Sequence, residues 1–162
     1  MKNNNNKWFF NSRGFSLIEL IVVIALLGIL GAIANTQVAD ISSKMRVTSA
    51  MNQIISDIEL TKEFALANST AMTITYDVNL DQYFIKDNGN LVANFPGSDN
   101  GIISLSNGIF SNTDLTQINL NGSNDIMIDK WGNVLNDGTI VLNDNYIITI
   151  SKISGATQVA QP

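Results

Sequence analysis

Two residue types that carry much of protein chemistry are missing: the 162-residue chain contains no cysteine and no histidine. Without cysteine there is no disulfide to staple a small domain, so any fold must rest on its apolar core. Without histidine, nucleophilic triads and the common zinc sites lose their usual member. Paired carboxylates remain possible as catalysts, but no pair is spaced to suggest that chemistry, and no glycine-rich loop is suited to cradle a phosphate. No catalytic residue, metal ligand or cofactor is assigned, and the chain reads as a non-enzyme. Proline is scarce too, at two residues, and from Ala32 to Asn88 there is neither proline nor glycine. Such a stretch permits one continuous helix.

Basic residues are also few. Nine lysines and arginines stand against fourteen aspartates and glutamates, for a formal charge of -5. Three of the nine, Lys2, Lys7 and Arg13, precede the first apolar run, so a chain lacking that head carries -8. An acidic surface of this kind repels nucleic-acid phosphates, and nucleic acid is excluded as a partner.

What the chain does have is one long apolar run. Arg13-Gly14-Phe15-Ser16-Leu17-Ile18-Glu19-Leu20 leads into Ile21 to Ala34, about twenty apolar residues interrupted by a single acid. At about 1.5 Å per residue a helix of that length spans roughly 30 Å of hydrocarbon. The residues ahead of Gly14 are polar and basic, so a cut near Gly14 leaves the apolar run on the product. The cations on that side place the N-terminus in the cytoplasm and the rest of the chain beyond the membrane. A carboxylate inside such a run costs about 2.5 to 3.5 kcal/mol at mid-bilayer, which marks Glu19 as functional.

The segment Arg13 to Leu20 resembles the class III signal of type IV prepilins and type II secretion pseudopilins. The resemblance implies that a prepilin peptidase cuts between Gly14 and Phe15 and N-methylates Phe15. It also implies that Glu19, four residues beyond the new terminus, pairs with the Phe15 amine of a neighbouring subunit during assembly. Two plainer readings compete. Ser16-x-x-Glu19 is a capping box at a helix start. Ala32-Ile33-Ala34 offers an A-x-A site for ordinary secretory cleavage, opposed by the length of the run and the acid at its head.

Beyond Ala34 the helical spacing continues through Val38, Ile41 and Met45, and then Met51, Ile54, Ile55 and Ile58. Asp40 and Lys44 form an i,i+4 pair. One helix is predicted from Phe15 to Ala67, its first half for a membrane or filament core and its second half packed on a domain. Asp57, Glu59 and Glu63 are assigned to its acidic solvent face, which argues against binding to a membrane surface. Gly28 and Gly31 allow close helix approach, and the proline that many major pilins carry near here is replaced by Asn35-Thr36.

Asn68-Ser69-Thr70 ends the helix, and short β-like runs follow: Met72 to Tyr76, Gln82 to Lys86, Leu91 to Ala93, Ile102 to Leu105, Gln117 to Leu120 and Asp125 to Asp129. Asp87-Asn88-Gly89-Asn90 is a hairpin signal. Thr139 to Leu142 and Tyr146 to Ser151 make a last hairpin through Asn143-Asp144-Asn145. The fold class is α+β: a leader over 1–14, a transmembrane or core half-helix over 15–34, an amphipathic half over 35–67 and an antiparallel sheet domain over 68–162. This order is similar to the pilin fold.

The tail is similar to the end of H-type minor pseudopilins: Asp129-Lys130-Trp131-Gly132, Gly138 to Leu142, Ile148 to Ser151, then Ser154-Gly155. Ala156 stands where those proteins often carry a basic residue. Asp77-x-Asn79-x-Asp81 begins like a calcium loop, but Gln82 and Asn88 stand where its glycine and closing acid belong, so a strand-connecting turn is expected. Asp99, Asp125, Asp129 and Asp137 show no ligand spacing. Trp131 is expected in the core or at its rim under the final hairpin.

The function expected is a structural one: a minor pseudopilin of a type II secretion system, held in the inner membrane by one span with its sheet domain in the periplasm, and built into a filament after processing. Its partners would be the prepilin peptidase, other pilin or pseudopilin subunits, the inner membrane and a secreted substrate. A minor type IV pilus pilin is the first alternative, and a membrane-tethered periplasmic binding protein the second.

Overall fold

The computed structural model describes residues 15–152 and 157–160, with side chains for 15–33 and 41–152. The leader with its Gly14, the closing Ser154-Gly155 and Ala156, and the side chains of Ala34, Val38 and Asp40 lie outside the described residues. The chain divides into two compact units, 1–40 and 41–162.

Helix α1 runs over Leu17–Asn68 and belongs to both units. It starts two residues later than predicted because Ser16 acts as its cap: the Ser16 hydroxyl accepts from the Glu19 amide at 3.3 Å, which satisfies one of the orphan donors at a helix start. The helix passes Gly28 and Gly31 without interruption. A Cβ at either glycine would meet nothing within 4 Å. It ends where Asn68 turns its amide back to the Phe64 carbonyl at 3.0 Å and Ser69 adopts a φ of 54°.

In the second unit the rest of α1 packs on strands, nine among the described residues. Val47, Ala50, Met51, Ile54, Ile58 and Ala65 lie in one buried cluster with side chains from the strands. The stripe Met51, Ile54 and Ile58 is therefore core as predicted, and Ile55 packs at its edge. One member of the predicted solvent face is not there: Asp57 is 3% exposed, because the helix buries a wider face than its apolar residues alone mark out.

Strands β1 (Met72–Asp77) and β2 (Gln82–Asp87) form a hairpin in register Met72 to Asp87 through Asp77 to Gln82. Strand β3 (Asn90–Leu91) returns along β2 through Asn88 and Gly89, whose φ values of 46° and 85° suit a two-residue turn. Strand β4 (Ile102–Ser104) pairs with the other end of β2, and β6 (Asp125–Ile128) pairs with β1. These five strands make the first sheet, ordered β3-β2-β1-β6 with β4 against β2. Burial alternates along β1, with Met72, Ile74 and Tyr76 turned inward, as a half-covered antiparallel sheet requires.

A second sheet, not anticipated, has the order β5-β7-β8-β9. It contains β5 (Leu115–Asn119), β7 (Gly138–Leu142), β8 (Tyr146–Ile150) and β9 (Thr157–Ala160). The β7-β8 hairpin was legible in the sequence; β9 was not. Strand β5 begins two residues earlier than the predicted run, and a register shift between Leu115 and Gln117 hides its alternation. Among the described residues, every non-glycine residue at positive φ except Ser69 is an asparagine or aspartate, the side chains that tolerate this region best. The class is α+β, a helix packed on antiparallel sheets.

Candidate functional site: the exposed apolar helix

Every residue from Phe15 to Ile33 is exposed. Thirteen of them are large apolar side chains, from Phe15 at 83% to Ile33 at 54%. Fully burying one such side chain contributes about 1.5–3 kcal/mol, so the segment forgoes on the order of tens of kcal/mol while it faces water. A surface helix that is apolar on one side can rest on its own domain; one that is apolar all round needs another medium. Among the described residues, no helix is long and apolar enough to cross a membrane; the apolar run of the sequence continues to Ala34, beyond the described side chains.

Glu19 sits in the first turn of this helix. Its amide is capped by Ser16, and the Leu20 amide bonds the Ser16 carbonyl at 3.2 Å. Acid in a first turn is favoured by the helix dipole. This is one half of the capping box read from the sequence. Phe15 lies just outside the helix, four residues from Glu19, with its side chain exposed. Gly14, the other side of the predicted cleavage bond, is outside the described residues.

The remaining candidates resolve into structure. Asp77, Asn79 and Asp81 form the β1-β2 connection: the Asn79 amide donates to the Asp77 carboxylate at 3.0 Å and the Leu115 amide to the Asp81 carboxylate at 2.8 Å. Asp81 thus ties the start of the second sheet to a turn of the first. Asp137 accepts from the Lys152 amide at 2.7 Å. Asp129 accepts from the amides of Trp131 and Asn133 at 2.8 and 2.9 Å and from the Asn133 side chain at 3.1 Å. The Asn133 amide, ahead of the other contacts, holds the Asp129 carboxyl below its ordinary range. Among the described residues, no group of three or more acids is gathered as for a metal ion.

Trp131 is not a core residue. It is 66% exposed, with the Lys130 ammonium 5.0 Å from its ring centroid. The loop that carries it is pressed onto the end of α1 by its neighbour Gly132, where a Cβ would stand 3.0 Å from the Lys62 carbonyl oxygen. That close approach, with a φ of 74°, is why the residue after the tryptophan is glycine.

Sequence reasoning missed two buried polar centres. Asp57 receives the Tyr83 hydroxyl at 2.5 Å on one oxygen and the Gln53 amide at 3.0 Å on the other. Burial pushes its carboxyl above the ordinary 3.8 against the pull of these two bonds. Asn136 is 3% exposed. It accepts from the Met127 amide at 3.0 Å and donates to the Leu120 and Asp125 carbonyls at 3.2 and 2.8 Å.

A model of the prokaryotic N-terminal methylation motif matches residues 9–35. Two fimbrial proteins of Pseudomonas aeruginosa are each similar to this chain, 32% identical over 82 residues that cover 46% of it and 53% of their own length. The chain spans about half the length of the curated relatives it matches. No solved structure matches it.

Proposed function

We propose that the chain is a member of the type IV pilin and pseudopilin family, a filament subunit made as a membrane-bound precursor. The peptidase that reads the methylation motif cuts between Gly14 and Phe15 and methylates the Phe15 amine. The run Phe15 to Ala34 holds the precursor in the inner membrane, N-terminus in the cytoplasm and sheet domain in the periplasm. Filament growth then draws that run out of lipid and packs it against the same run of neighbouring subunits.

One observation carries this reading: the exposed, all-round apolar surface of Phe15 to Ile33, headed by Glu19. Lipid and a bundle of like helices are the two environments that accept such a surface. Gly28 and Gly31, whose missing Cβ atoms nothing in the chain requires, give neighbouring helices room to approach. Glu19 supplies register. Within an apolar bundle its carboxylate is penalised wherever it lacks a cation, and the Phe15 amine of the next subunit relieves it only when the two helices are offset by the spacing of these residues.

Among filament systems the reading favours a minor pseudopilin of type II secretion. It rests on the tail pattern around Asp129 to Gly132 and on the absence of the cysteine pair common in major pilus subunits. The fimbrial relatives support the alternative, a minor pilin of a type IV pilus. In either machine the role is structural, with the peptidase, sister subunits, the inner membrane and a secreted substrate as partners.

N-terminal sequencing of the mature protein tests the proposal. Methylated Phe15 is the expected first residue. A mature chain starting at Asn35 would make it an ordinary secreted protein, and one starting at Met1 would remove the processing step altogether.

A further inference from the structure

We infer that Asp57, held between Gln53 and Tyr83, fixes the rotation and axial position of helix α1 on the first sheet. The apolar contacts cannot do so alone. Buried helix residues recur at spacings of four: Val47 and Met51, and Ala50, Ile54 and Ile58. Sliding the helix by one turn, about 5.4 Å, brings Met51, Ile54, Ile55 and Ile58 to the places of Val47, Ala50, Met51 and Ile54, and among these sites only the place of Ile58 then receives a polar residue, Lys62. The same slide leaves Asp57 without its partner on the sheet.

The geometry around Asp57 is specific. Tyr83 is fully buried on β2, a strand paired along both edges, by β1 on one side and by β3 and β4 on the other. Its ring lies against Tyr76 on β1, centroids 5.3 Å apart, so the hydroxyl has little freedom to follow a displaced helix. That hydroxyl reaches one carboxylate oxygen at 2.5 Å while Gln53, one helical turn earlier, takes the other at 3.0 Å. The Asp57 carbonyl accepts from the Thr61 hydroxyl at 2.6 Å. A charge placed out of water tolerates only the position in which both oxygens are satisfied. Asp57 is accordingly a positioning residue, and its worth lies in uniqueness of packing more than in stability. The inference stands whether or not the protein enters a filament.

The lack of native cysteine allows a direct test. Spin labels attached at Ser56→Cys on α1 and Asn90→Cys on β3, in the full chain in detergent micelles, report the helix-to-sheet distance by pulsed electron spin resonance. The parent should give one narrow distribution. Asp57→Leu with Tyr83→Phe should retain the melting temperature or raise it, yet give a broadened distribution or a second one displaced by about one turn. A single unchanged distribution in that variant overturns the inference. If the leucine variant does not fold, the comparison is made on Asp57→Asn with Tyr83→Phe, which keeps volume and the Gln53 contact but cuts the link to the sheet. Broadening there supports the assignment, an unchanged distribution refutes it, and Asp57→Asn with Tyr83 retained should return the distribution to that of the parent.

Discussion

The two halves of helix α1 are both rich in large aliphatic residues, yet they stand in opposite relation to the rest of the chain. From Val47 to Ala65 the aliphatic face is buried against the sheets. From Phe15 to Ile33 every residue is exposed. The difference lies in the remaining positions. The later half alternates its apolar stripe with Asn52, Ser56, Glu59 and Glu63, so one face meets the core and the other meets water. The earlier half has no polar face to offer. One half buries its apolar surface in the fold, and the other leaves it exposed.

Four experiments break or sharpen that contrast. The largest effect is expected at Glu19: Glu19→Ala should leave membrane insertion and domain melting unchanged but abolish recovery in sheared filament fractions. Normal incorporation would end the register role proposed for it. Next comes a matched pair of truncations. Ile54→Ala, at a fully buried site, should destabilise the domain by about 2–5 kcal/mol in denaturant unfolding. Ile24→Ala, at a site 58% exposed, should leave that transition where it was.

The third prediction concerns pH. The Asp57 carboxyl titrates above 3.8 in the folded chain, so between 3.8 and its folded value the folded state binds the proton first. Its contribution to stability is complete below 3.8 and is lost as pH rises through the folded value. Asp57→Asn should flatten that part of the stability profile measured by thermal melts from about pH 3 to 8. Asp129 provides the smallest effect and the opposite sign. Its carboxyl is held below 3.8 by the Asn133 amide and its other donors, so its contribution is present above 3.8 and fades as pH falls through the folded value. Asp129→Ala should loosen the Lys130 to Asn133 loop, seen as faster amide exchange at Trp131 and Asn133, with little change in global melting because the group is fully exposed.

The sequence was most informative where the causes are local. The end of the helix at Asn68, the Asn88-Gly89 turn and the β7-β8 hairpin all follow from backbone preferences of a few adjacent residues, and they stand where they were expected. Trp131 was misplaced because its size suggested burial, whereas the loop is seated by the small residue beside it, Gly132. Asp57 was assigned to solvent because its partner Tyr83 is 26 residues away and nothing in the helix pattern points to a hydroxyl on the sheet. The burial of Asn136 was missed for the same reason: its three backbone partners, Met127, Asp125 and Leu120, lie 9, 11 and 16 residues away.

By itself, then, the sequence determined the helix, its cap at Ser16, the apolar run, the position of Glu19 relative to Phe15 and the α+β class, since each of these rests on spacing within one segment. Tertiary structure alone decided the division into two sheets, the seating of the Trp131 loop on the helix end and the burial of Asp57. Those depend on which distant groups meet, and the free energy of a buried polar atom is set by partners that no local pattern names.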